Sequence, residues 1–75
     1  MEKPTLQGIA AKNIIRILEE KNISKAELGR RIGKSRSIIV KYLSSGTEKR
    51  NIDVDVLGDI AEALEVEPEE LLRKG

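Results

Sequence analysis

Seventy-five residues suffice for one small domain, near the lower limit for a core that folds without staples. The chain has no cysteine and no histidine, which excludes disulfides, thiolate metal sites, thiol nucleophiles and the commonest general base, and its single aromatic residue is Tyr42. The net charge of +1 conceals a segregation: residues 1–50 carry twelve Lys/Arg against five Asp/Glu, and residues 51–75 carry two against eight.

Residues 1–8 contain Pro4 and Gly8 and show no helical period, which predicts a flexible arm ahead of a folded domain over residues 9–75. From Ile9 to Lys21, the apolar positions Ala10, Ala11, Ile14, Ile17 and Leu18 share one helical face. Asn22, which tolerates positive φ, is the expected stop. Ser24 followed by Glu27 is a capping box, and Ile23 with Leu28 forms a hydrophobic staple, so a second helix starts here. Leu28 and Ile32 face inward. Gly29, inside this helix, costs about 1 kcal/mol relative to Ala, which close approach of another helix would explain. Gly33 ends the helix after two turns as a residue free to take positive φ.

Ser35 caps a third helix, expected over about residues 36–45, with Ile39, Tyr42 and Leu43 inward. Arg36 and Ser37 lie in its first turn, Val40, Lys41 and Ser44 project from the other side, and Gly46 is expected to stop it. Thr47 to Ile52 read as a polar loop carrying Lys49 and Arg50. Asp53 caps a fourth helix running to about Leu64, whose inward row is Leu57, Ile60, Ala61 and Leu64, with Val54 a turn earlier. Pro68 opens a last short helix, where Glu69 and Glu70 suit the positive end of the helix dipole. Five helices with short connections and no strand signal imply a compact all-α domain. Two short amphipathic helices meeting at Gly33, over about residues 24–46, have the form of a helix-turn-helix, which lays its second helix in a duplex groove.

No apolar run approaches the roughly 20 residues of a membrane-spanning helix and no signal-peptide pattern opens the chain, so a cytoplasmic, nucleoid-associated protein is expected. No metal or cofactor is expected, and the absence of Cys and His argues against an enzyme. Glu69 and Glu70, the adjacent acids, diverge on a helix and make no acid–base pair. A basic front that meets phosphate and an acidic back that does not account for the segregated charge.

With its elements placed, the chain resembles the Cro/phage-repressor-like (XRE) helix-turn-helix family from about Ile9 to Leu72. Leu28-Gly29, Ile32-Gly33, Ser35-Arg36-Ser37, Ile39 and Gly46 follow that family's order and spacing. Val54 to Leu64, then Val66 and Leu71, fit its fourth and fifth helices. The resemblance implies a five-helix, lambda-repressor-like domain that binds operator DNA, usually as a dimer, and regulates transcription. The departures are specific. Lys25 replaces a common Gln that bonds phosphate and braces the recognition helix. Gly29 stands where Ala is commoner, and Glu65 where Gly often ends the fourth helix, which predicts strain or a shifted end. Leu18 and Leu43 occupy places that many members fill with a buried Arg–acid pair, one hydrophobic contact in place of one salt bridge.

On the family arrangement the third helix points its N-terminal end into the major groove. Arg36 is then the best base reader, since its planar fork matches guanine O6 and N7, with a phosphate contact as the alternative. Ser37 beside it restricts bases little. Lys41 reaches a guanine or a phosphate, and Val40 a thymine methyl or a neighbouring helix. Ser35 and the free N–H groups behind it form an anion site, flanked by Lys25, Lys34, Lys49 and Arg50. Arg30 and Arg31 lie about 100° apart on one helix and cannot both face DNA. A homodimer on a pseudo-palindromic operator is expected, with Val66, Leu71 and Leu72 as its seam or, alternatively, as completion of the core. The expected function is a sequence-specific double-stranded DNA-binding regulator, a repressor. The rival reading is an antitoxin-like or phage protein-interaction module on the same fold, with or without DNA binding.

Overall fold

A computed structural model of the chain describes residues 6–44 and 51–73. They form α1 (Leu6–Lys21), α2 (Lys25–Ile32), α3 (Arg36–Leu43), α4 (Val54–Leu64) and α5 (Pro68–Leu71), with no strand among the described residues. The all-helical, five-helix expectation holds. None of these helices is long and apolar enough to cross a membrane.

α1 begins at Leu6, three residues before Ile9, and runs through Gly8. The expected arm over residues 1–8 therefore loses its last three residues to the helix; residues 1–5 lie outside the described residues. Once the buried row of α1 holds a helix, adding a turn needs no new nucleation, so one glycine's cost of about 1 kcal/mol does not stop it. At the other end Asn22 takes φ 60° and the N–H of Ile23 donates to the carbonyl of Leu18 at 2.9 Å, the expected left-handed stop.

α2, α3 and α4 begin on side-chain caps. Ser24 Oγ, Ser35 Oγ and Asp53 Oδ1 accept the N–H groups of Glu27, Ile38 and Val56 at 3.0, 3.3 and 2.8 Å. The return half of the capping box does not form, because the Glu27 carboxylate is taken by two arginines. Gly33, at φ 73°, ends α2 as expected. α3 ends at Leu43, capped by Ser44 in an extended conformation, two residues short of the expected end; Ser44 Oγ donates to the Lys41 carbonyl at 3.2 Å and closes the last turn. Gly46 lies outside the described residues. α4 ends at Glu65, which adopts φ 60° and ψ 40°: the strain expected where relatives carry Gly is present.

One apolar cluster draws on every helix, with Ile14, Leu28, Ile39, Ile60, Leu64 and Leu71 fully buried. Leu18 and Leu43 are both buried in it. Three positions, Val54, Val56 and Ile52, depart from the sequence reading, and Leu71 takes the core, one of the two places expected for it. Val54 is 84% exposed and Val56 is buried instead, because, at 100° per residue, Val56 lies about 40° from Ile60 and Val54 about 120° away. Ile52, read as loop, is buried. Leu71 is fully buried and offers no surface to a second copy, whereas Val66 and Leu72 are half-buried. A short terminal helix with few apolar residues stays folded only by inserting one into the core.

Among the described residues, Asn13 is the buried polar side chain of α1. Its Nδ2 donates to the carbonyls of Leu71 and Arg73 at 2.8 Å each and of Glu70 at 3.4 Å, so α1 caps the C-terminal end of α5. Its position between Ala10 and Ile17 on the apolar row, where a polar residue demands a partner, was the available signal.

Candidate nucleic-acid interface

The α2–turn–α3 unit is built on backbone contact. The N–H of Lys34 donates to the Gly29 carbonyl at 2.7 Å. A Cβ on Gly29 would stand 2.5 Å from the Lys34 carbonyl oxygen and 3.3 Å from Ile39 Cγ1. The missing side chain lets the turn fold down onto α2, and Gly33 supplies the left-handed residue that reverses the chain. The expected close approach is thus made by the turn and the start of α3. Ile39, Tyr42 and Leu43 bury the inner side of α3.

What remains outward on α3 is the row that the sequence marked. Arg36, Ser37 and Lys41 are exposed, and Val40 and Ser44 are half-buried. At 100° per residue these five positions fall within an arc of about 140°. The Ser35 hydroxyl oxygen accepts from Ile38, while the N–H groups of Arg36 and Ser37 have no partner among the described residues. The first turn of α3 thus presents unsatisfied donors, the positive end of a helix dipole and one guanidinium together. Lys25, the first residue of α2, is exposed, and Lys34 in the turn is half-buried. Lys49 and Arg50 lie outside the described residues.

Arg30 and Arg31, read as two charges that cannot both face DNA, both turn onto an acid of their own helix. Glu27 pairs with both: Arg30 Nη2 bonds Oε2, and Arg31 Nε donates to Oε1 at 3.1 Å. These hydrogen bonds, that from Arg31 foremost, hold the Glu27 carboxyl below the usual carboxylate range. Arg31 also donates from Nη1 to the Ala63 carbonyl at 3.0 Å, reaching from α2 to the last turn of α4. Charge is segregated by element. α2 and α3 expose Lys25, Arg36 and Lys41, while α4 and α5 expose Asp55, Asp59, Glu62, Glu69 and Glu70.

A family model described as helix-turn-helix, of the Cro/C1 type, matches residues 14–71. The fold is also similar to the crystal structure of the hypothetical transcription factor NHTF from Neisseria. That likeness has a TM-score of 0.82 and 25% sequence identity, covering 97% of this chain and 80% of the other. No curated protein matches the chain. The match spans α2, the turn and α3 together with most of their supporting helices, and the geometry of that unit agrees with it. The chain belongs to the Cro/C1-type (XRE) helix-turn-helix family of DNA-binding transcriptional regulators.

Proposed function

We propose that this regulator is a repressor that reads double-stranded DNA by laying α3 in the major groove. The outward row of α3 supports this reading: an arginine, a serine and a lysine stand free along one side, the first two at the end where the backbone donors are unsatisfied. Arg36 reads a guanine, with Ser37, Val40 and Lys41 beside it on the bases. Lys25, Lys34 and Ser35 grip the flanking phosphates, and Lys49 and Arg50 join them on their charge. The acidic α4–α5 side turns away from the duplex.

A single α3 reads a few base pairs, too few to select a site in a genome. The protein therefore acts as a two-fold homodimer on a pseudo-palindrome with half-sites about 34 Å apart. With Leu71 committed to the core, Val66 and Leu72 remain of the expected seam, to which we add the exposed Val54. In vitro selection of bound duplexes from a random pool tests the whole reading. The expected product is an inverted repeat with a guanine in each half-site, lost with Arg36→Ala. A pool that stays random after selection would end the DNA-reading proposal in favour of a protein-interaction module.

A further inference from the structure

α3 packs chiefly on α2 and α1, and α2 in turn packs on α4. The turn welded over Gly29 locks α3 to α2, so the angle at which α3 meets a duplex depends on the placement of α2 on α4 as well as on its own contact with α1. Apolar contact between two helices sets their spacing but is non-directional, and leaves an eight-residue helix free to rock. A directional bond spans that interface. Arg31 Nη1 donates to the Ala63 carbonyl at 3.0 Å, while Nε of the same guanidinium donates to Glu27 Oε1 at 3.1 Å. The planar fork is thereby held at both sides, by a carboxylate on its own helix and by a carbonyl at the negative end of α4.

We propose that Arg31 is a positioning residue for DNA reading: it sets the angle of the helix-turn-helix unit on α4 without touching DNA. This rests on the α3 reading above. Arg30 is the internal control, since it carries the same charge, pairs with the same Glu27 and, among the described residues, makes no bond beyond α2.

Arg31→Met, Arg31→Lys and Arg30→Met are titrated over a range of salt on the selected duplex and on a scrambled one. Arg31→Met should lower the cognate-to-scrambled affinity ratio by roughly threefold to tenfold. The slope of log affinity against log salt should stay at the wild-type value, because no phosphate contact is lost. Arg31→Lys keeps the charge but not the fork and should recover part of the ratio; Arg30→Met should leave it unchanged. Equal weakening on both duplexes, with a slope reduced by about one, would make Arg31 a phosphate contact and overturn the proposal. An unchanged ratio with a lowered unfolding midpoint would overturn it too, leaving a merely structural bond. If Arg31→Met fails to fold, Arg31→Lys carries the same readouts.

Residual dipolar couplings of the free protein give a measurement independent of DNA. The α3 amides should reorient relative to α4 in the Arg31 variants and not in Arg30→Met. An unmoved α3 refutes the positioning role, whereas a moved α3 in a protein without sequence preference refutes the DNA reading alone.

Discussion

Arg36 and Lys34 flank the same cap, Ser35, yet their side chains are suited to different work. A guanidinium in the first turn of α3 matches two acceptors on a guanine edge, whereas a lysine in the turn behind it offers a point charge to phosphate. Arg36→Ala should cost about 1–3 kcal/mol on the selected duplex and relax preference at one base pair. Lys34→Ala should weaken all sequences alike and lower the salt slope by about one. Titration of both variants on cognate and scrambled duplexes separates the two, and equal weakening by Arg36→Ala would reassign it to the backbone. Glu65 is a residue whose fault is local. An L-residue at φ 60° costs about 1–2 kcal/mol, part of which Gly recovers. Glu65→Gly should therefore stabilise the fold by about 0.5–1 kcal/mol in urea denaturation, since the closing bonds from the N–H groups of Glu65 and Val66 remain.

At the scale of elements, α2 and α3 behave as one piece because their junction is backbone on backbone. Gly29→Ala tests this. Helix propensity alone favours Ala by about 1 kcal/mol, but the new Cβ would meet the Lys34 carbonyl at 2.5 Å, and a backbone atom cannot swing aside like a side-chain tip. The variant should be destabilised by about 1–3 kcal/mol, the range for overpacking, with a loss of sequence preference as the turn lifts. A neutral or stabilising result in thermal unfolding would mean that the turn yields. The sequence marked Gly29 as a site of close approach because a glycine mid-helix needs a reason. It did not reveal that the approaching group is the carbonyl of Lys34, five residues away, since that depends on how the turn is closed. The same limit separates Asn13 from its partners. A polar residue on an apolar row announces a need, but the carbonyls that meet it come from α5, at the far end of the chain.

For the whole molecule, the consequence of small size is that core and interface compete for the same few apolar residues. Leu71 is taken by the core, so the proposed seam narrows to Val66 and Leu72, with the exposed Val54 added. Sedimentation at micromolar concentration should show a dimer on operator DNA, and Val54→Asp should weaken it while leaving the unfolding midpoint near wild type, because that side chain makes almost no internal contact. A strictly monomeric species even on DNA would exclude the two-fold arrangement. Charge acts at the same scale. A protein of net charge +1 binds a polyanion through the separation of its charge, with the cations on α2 and α3 and the acids on α4 and α5.

Hydrophobic period and end signals were enough to place α2, Gly33, the start of α3 and the caps at Ser24, Ser35 and Asp53, because those features arise from neighbours within four residues. The outward row of α3 followed from the same period. Tertiary structure decided the rest, where a residue's role depends on a partner distant in sequence. It buried Leu71 and carried α1 three residues further than its glycine suggested. It also carried Arg31 beyond Glu27, its neighbour on α2, to the carbonyl of Ala63 on α4. A sequence shows that a charge must be solvated or paired, but the choice among partners is made by the packing that brings one within reach.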